Sequence, residues 1–307
     1  MNWAHRHLLG IGHLRREDIF FLLERAGQYR DSLDESPKQK PILAGYSMVN
    51  FFLEASTRTR LSFEMAGRLL GMDVLSFSGN ASSLEKGESF RDTVRTLSRM
   101  KFDVLVVRHQ SSGIPEYLSD FLPQHIVNAG DGLREHPTQA LLDLLTIQRA
   151  FGDFSGITVV IIGDLLHSRV ARSLIKGLTM LDCSVLVSGP PTLVPQVVES
   201  MGARVVFPVE EALRKADVVY LLRVQKERQE AGYFPSNREY EYFFGLNARH
   251  WDMVSERAYI MHPGPVNRGV EIASELVECS RSLIEEQITC GLAVRMAVLE
   301  TLIRQGR

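Results

Sequence analysis

Only three cysteines, Cys183, Cys279 and Cys290, occur in 307 residues, and no two share a CxxC spacing. That spacing supports neither a disulfide framework nor a zinc site. Cys183 opens an apolar strand, where a thiol acts as core packing. Neither sign of charge dominates, with 35 Lys and Arg against 37 Asp and Glu and a net charge of −2. A nucleic-acid binder would carry a basic excess. No run approaches the ~20 apolar residues that span a bilayer. The first seven residues hold no apolar signal core. A cytoplasmic protein with no nucleic-acid or membrane partner is expected. Internal repeats and low-complexity tracts are also missing. Residues 85–89 do not form a Walker A loop.

What is present is alternation. Strand-like apolar runs at 48–53, 102–107, 125–128, 157–162, 184–188, 204–207, 218–222 and 259–261 are separated by helical patterns. Several are continuous, as in strands covered on both faces. This predicts an α/β protein with two three-layer α/β/α domains and mainly parallel sheets. The domains are placed at 1–140 and 141–285, with 286–307 returning to the first. Ile288, Leu292, Met296, Leu299 and Ile303 mark that last segment as an amphipathic helix packing back on the first domain.

The chemistry collects where the strands end, the edge at which open parallel sheets bind ligands. After 48–53 comes Ser56-Thr57-Arg58-Thr59-Arg60. There a helix start offers backbone N–H groups, hydroxyls and a guanidinium, an assembly suited to phosphate. Alone, the segment reads equally well as a Ser/Thr cap beside a surface arginine. The other strand ends bring Arg108 and His109, then His136-Pro137-Thr138-Gln139, Arg169, Arg223, and His262-Pro263-Gly264-Pro265. Arginines gathered in one cleft repel one another unless anions fill it, and they favour bidentate recognition of carboxylate and phosphate. The stretch 162–169 lacks the later glycines of a dinucleotide fingerprint. No Ser-His-Asp or Cys-His arrangement is evident. What remains is group transfer by positioning and charge stabilisation.

In combination, STRTR at 56–60, Arg108-His109, HPTQ at 136–139, GDLLHSR at 163–169 and RVQKER at 223–228 resemble the aspartate transcarbamoylase catalytic-chain family over essentially the whole chain. The resemblance implies transfer of a carbamoyl group from carbamoyl phosphate to L-aspartate in pyrimidine synthesis, without metal or organic cofactor. It implies that Ser56, Thr57, Arg58 and Thr59 hold the phosphate. Arg108, His136 and Thr59 would meet the carbonyl oxygen, and Gln139 with Gly264 and Pro265 would place the carbamoyl NH2. Arg169, Arg223 and Gln225 would bind aspartate, with Lys86. Ser83 and Lys86 would reach into the active site of an adjacent subunit, making a homotrimer with active sites between domains and across subunits. Glu54 would pair with arginines of the second domain when the cleft closes on aspartate. Association with a regulatory chain or dihydroorotase is left open. The alternatives are a transcarbamoylase using ornithine or another amine, and a non-catalytic phosphate-binding homologue.

Overall fold

The structure, a computed structural model, describes residues 3–35, 40–78, 89–224 and 236–305. The chain divides into two compact units, Met1–Leu145 with Thr289–Arg307, and Thr146–Ile288. In the first unit the elements run α1 (Arg16–Ser32), β1 (Ser47–Phe52), α2 (Thr57–Leu69), β2 (Asp73–Ser78), α3 (Phe90–Ser98), β3 (Val104–His109), α4 (Ile114–Ser119), β4 (His125–Asp131) and the start of α5 (Pro137–Phe151). In the second they are β5 (Thr158–Ile162), α6 (Arg169–Met180), β6 (Ser184–Ser188), β7 (Ala203–Val205), α7 (Val209–Leu213), β8 (Val218–Leu221), α8 (Asn237–Phe244), α9 (Ala248–Trp251) and β9 (Tyr259–Met261). Helix α10 (Ile284–Gln305) carries the chain back into the first unit. Both unit edges fall inside helices, where an unbroken periodicity gives no boundary signal, and so they differ from 140/141 and 285/286.

Each unit holds one parallel sheet with helices on both sides. The first has strand order β2-β1-β3-β4 and the second β7-β6-β5-β8-β9. Strands β1, β5 and β8 form because their residues are apolar and buried nearly without interruption. In the first unit Val49, Phe51, Leu105, Val107 and Ile126 from the sheet pack with Val94 of α3 and Leu118 of α4. Burial stabilises each such side chain by ~1.5–3 kcal/mol. The order of strands creates one switch point per sheet. In the first, the chain leaves β1 for β2 on one side and returns for β3 on the other. In the second, β6 and β7 lie on one side of β5, with β8 and β9 on the other. Ligands bind outside the carboxyl ends of the strands at such points.

Two helical elements differ from the sequence expectation. Helix α10 is buried almost all round from Ala293 to Ile303, whereas Ile288 is exposed. Its last turns meet the first unit: the Tyr29 hydroxyl donates to Glu300 Oε2 at 2.9 Å. Helix α4 has only six residues, one of them Pro115, too short for a periodicity to register.

The segment around Leu8 runs along β4, with Leu8 N donating to the Ile126 carbonyl at 2.8 Å and Asn128 N donating to the Leu8 carbonyl at 2.9 Å. His7 Nδ1 accepts from the Ile126 amide at 3.0 Å. Burial, helped by the charges of Arg6 and His125, pulls the His7 imidazole from 6.5 down to about 4. Between those values the unfolded chain binds a proton that the folded chain refuses, so stability falls as pH drops through this window. Discounted for partial exposure, the loss is about 1–2 kcal/mol. Thermal melts at pH 7 and pH 4.5 should show a smaller acid loss in His7→Asn than in the parent chain. An equal loss in both would remove His7 as its source.

Candidate active site

The polar segment after β1 starts α2. Ser56 is its N-cap, in extended conformation (φ −162°, ψ 102°), yet its side chain makes no cap hydrogen bond. The first turn, Thr57, Arg58 and Thr59, contains no acid. The positive end of the helix dipole and its first N–H groups are therefore not offset by a carboxylate within that turn. Thr57 and Arg58 are exposed, and Ser56 and Thr59 half-buried.

Beside it, at the other strand of the switch point, stand Arg108 and His109. They are the last two residues of β3 rather than residues beyond it. Arg108 Nη2 donates to Glu54 Oε1 at 2.8 Å, and Nη1 donates to the Ala129 carbonyl at 3.2 Å. Glu54 thus pairs with an arginine of its own unit. The two carboxylate and guanidinium side chains are 17% and 13% exposed, so solvent, and an anion, can reach them. His109 turns away from this chemistry. Its Nδ1 accepts from Ser111 N at 2.8 Å, its ring sits edge-on to Phe90, and burial lowers its pKa.

Strand β4 extends to Asp131, through a Gly130 that reads as a turn in sequence but closes the strand at φ 131°. The next residues fold back tightly. Gly132 N donates to the His109 carbonyl at 2.9 Å, and Asp131 N to the Glu135 carbonyl at 3.0 Å. This ties the end of β3 to the approach of α5 and delivers His136, 4% exposed, just before Pro137 opens that helix. Gln139, buried in the first turn, donates from Nε2 to Asp143 Oδ1 at 3.1 Å. The first sheet therefore brings Ser56, Thr57, Arg58, Thr59, Arg108, His136 and Gln139 to its carboxyl edge.

In the second unit, Gly163 follows β5 at φ 132°, and a Cβ there would lie 3.0 Å from the Leu222 Cβ and the Tyr240 hydroxyl. Only glycine lets the ends of β5 and β8 approach so closely. Buried Asp164 shapes the turn, accepting from His167 N at 3.0 Å and facing His167 Nδ1 at 3.0 Å. Ser168 Oγ accepts from Ala171 N at 3.1 Å and so caps α6. Its first residue, Arg169, is 4% exposed. Arg223 lies just beyond β8. Arg169 and Arg223 thus follow the two strands of the second switch point, Arg169 at the start of α6 and Arg223 just past the end of β8. Buried Glu271 accepts from Val224 N at 3.0 Å and from Asn267 Nδ2 at 2.8 Å. The turn after β9 is closed by His262 Nδ1, which accepts from Gly264 N at 2.8 Å, and Gly264-Pro265 is a cis peptide. Ser83, Lys86, Gln225 and Arg228 lie outside the described residues.

The sequence reading missed Glu271 and Asp143. The available signal was a charge set among apolar residues, as Asp143 is among Leu141, Leu142, Leu144 and Leu145. Among the described residues, no group of three His, Cys, Asp or Glu could hold a metal ion, and no helix is long and apolar enough to cross a membrane. A groove of about 610 Å³ lined by Arg95, Arg99, Lys101 and Phe121 also reaches Gln124. Lys101 and Gln124 precede β3 and β4, so it lies at the sheet's amino edge, away from these residues.

Two family descriptions match the chain: "Aspartate/ornithine carbamoyltransferase, carbamoyl-P binding domain" over residues 6–149, and "Aspartate/ornithine carbamoyltransferase, Asp/Orn binding domain" over residues 155–302. The chain is 49% identical over 302 residues to the aspartate carbamoyltransferase catalytic subunit of Desulforamulus reducens, covering 98% of this chain and 97% of that one. Among solved structures it is similar to Trypanosoma cruzi aspartate transcarbamoylase in complex with carbamoyl phosphate. There the TM-score is 0.88 at 32% identity, covering 96% of this chain and 95% of that one. It is also similar to the same enzyme in complex with N-(phosphonacetyl)-L-aspartic acid, with TM-score 0.87 at 33% identity and the same coverage. With both domain descriptions matched in order and identity near one half along its length, the chain belongs to the aspartate/ornithine carbamoyltransferase family.

Proposed function

We propose that the chain transfers the carbamoyl group of carbamoyl phosphate to the amine of L-aspartate, giving N-carbamoyl-L-aspartate and phosphate for pyrimidine synthesis. Full-length similarity to catalytic subunits named for this reaction carries the proposal. Two arginines at the second switch point suit a dicarboxylic amino acid. Ornithine would bring a cation toward them and be rejected.

In this reading the amine attacks the carbonyl carbon and pushes charge onto the carbonyl oxygen. Arg108, Thr59 and His136 donate to that oxygen, each good donor supplying roughly 3–4 kcal/mol. A neutral imidazole has one N–H to give, which suffices. The C–O bond to phosphate breaks, the amine passes its surplus proton to the departing phosphate, and Ser56, Thr57, Arg58 and the α2 N-terminus hold that anion. Glu54 occupies Arg108 in the structure at hand. A doubly charged phosphate outcompetes that single carboxylate. Gln139, with Gly264 and Pro265, places the NH2. Arg169, Arg223, Gln225 and Lys86 bind aspartate. In a direct test, the purified chain with carbamoyl phosphate should release phosphate only when L-aspartate is added. No aspartate-dependent release would sink the proposal.

Arg169→Ala should raise the KM for aspartate about 100-fold, as expected for a lost buried arginine–carboxylate pair, and leave the inhibition constant of inorganic phosphate unchanged. Steady-state kinetics with phosphate as competitor separates the two. A shift in both constants would take Arg169 out of aspartate binding.

The functional unit of this proposal is a homotrimer in which Ser83 and Lys86 complete a neighbour's site. On the first unit, α2 exposes Leu61 and Met65 (51% and 50%), and the adjacent edge strand β2 exposes Leu75 (58%). The Glu64–Ser76 hydrogen bond holds that helix and strand side by side. An exposed apolar edge of this kind favours burial against a second copy. Inactive Lys86→Ala and Arg58→Ala chains, once mixed and exchanged, should regain activity through hybrid sites. A fully exchanged yet inactive mixture would contradict shared sites.

A further inference from the structure

Asp143 lies one helical turn beyond Gln139 on α5 and is fully buried. An ionised carboxylate only accepts hydrogen bonds, so the Gln139 amide must turn its nitrogen toward Asp143 Oδ1, 3.1 Å away. The amide oxygen then points elsewhere, and no described residue donates to it. The charge on Asp143 has a buried counterpart in Arg295 of α10, 4% exposed. Burial pulls the Arg295 guanidinium down to about 10, and the Asp143 charge opposes that pull. Arg295 also reaches α2. Its Nη1 donates to Ser62 Oγ at 3.1 Å, and its guanidinium lies 5.2 Å from the Phe63 ring centre. One buried cation thus braces the helix that starts with Thr57-Arg58-Thr59 and stands by the acid that orients Gln139.

We propose that Asp143 is a positioning residue that sets substrate specificity: it fixes the Gln139 amide with its oxygen toward the ligand, so the site selects an acyl phosphate bearing N–H over one bearing a methyl group or an oxyanion. The proposal rests on the reading that Gln139 meets the carbamoyl NH2. The fixed oxygen accepts from that NH2. It finds no donor on an acetyl group and repels a carboxylate oxygen. A site built to hydrogen-bond an N–H rejects ligands without it, because its own buried polar atom is left unpaired. With Asn at 143 the partner can donate as well as accept, the Gln139 amide can invert, and its NH2 would oppose the substrate's.

The test uses the full chain carrying Asp143→Asn, with three probes at saturating L-aspartate: carbamoyl phosphate as substrate, acetyl phosphate and inorganic phosphate as competitors. The KM for carbamoyl phosphate should rise about tenfold or more, while both inhibition constants stay within about threefold. The preference for carbamoyl over acetyl phosphate then falls about tenfold. A damaged helix would weaken all three probes together, and that result, or an unchanged preference, overturns the proposal. If Asp143→Asn does not fold because Arg295 is left uncompensated, Asp143→Asn/Arg295→Met removes both charges and carries the same expectation. Gln139→Ala separates the two levels of the argument. An unchanged carbamoyl phosphate KM in Gln139→Ala would remove Gln139 from the substrate and the proposal with it. A raised KM there, beside an intact preference in the Asp143 variant, would overturn the role of Asp143 alone.

Discussion

Arg108→Ala is expected to lower kcat/KM by about 10³–10⁴-fold. Arg108 is proposed to contact the charge that develops on the carbonyl oxygen and the phosphate that leaves, and losing one such donor costs roughly 10²–10³ in rate. A second penalty follows from its partner. Glu54 Oε1 lies 2.8 Å from Arg108 Nη2. With the guanidinium gone, that carboxylate stays beside the phosphate site with no charge to offset it, and each like-charge contact near a protein surface opposes binding by ~1 kcal/mol or more. Arg108→Lys restores the charge but not the planar fork, which donates to Glu54 and to the Ala129 carbonyl through separate nitrogens. It should recover only part of the loss. Steady-state kinetics on both variants, with melting curves to confirm folding, reads this. An alanine variant within tenfold of the parent would take Arg108 out of the chemistry.

His136→Ala should lower kcat by about 10²–10³ with little change in the inhibition constant of inorganic phosphate. The imidazole is proposed to donate to the carbonyl oxygen, where charge grows in the transition state, while the phosphate rests on α2. Its place is set by backbone: the His136 carbonyl accepts from Gln139 N at 3.0 Å and from Ala140 N at 3.2 Å as α5 begins. Those bonds survive the substitution, so the helix start is retained. A variant that loses phosphate affinity as well as kcat would mark His136 as structural support for α2 rather than an oxyanion donor.

The legibility of these features in the sequence followed their physics. Strands β1 and β5 were plain because burial on both faces leaves an apolar run, unbroken in β5 and interrupted in β1 only by Asn50 after Ser47. The 56–60 segment reads alone as well for a helix cap as for an anion site, and it is the cations at the other strand ends that favour the anion site. Strand β2 carries no clear strand signature in the sequence. It is an edge strand, its Asp73, Leu75 and Ser76 are exposed, and its mixed pattern resembles a loop. The end of β4 resembles a turn in the sequence because Gly130 and Gly132 imitate one. The partners of Glu54 and Asp143 were beyond the sequence for a different reason. A carboxylate shows its role only through its partner, and Arg108 and Arg295 are brought to them by tertiary folding. Strand order is likewise invisible in a list of strands, so the two switch points that organise the candidate residues emerged only with the sheets.

The most direct test is product identification from parallel incubations of the purified chain with carbamoyl phosphate and either L-aspartate or L-ornithine. Carbamoyl aspartate from the first and no citrulline from the second is the predicted result, because Arg169 and Arg223 favour a second carboxylate. Citrulline without carbamoyl aspartate would keep the transfer chemistry but contradict the assignment of those arginines; neither product would contradict the catalytic account as a whole.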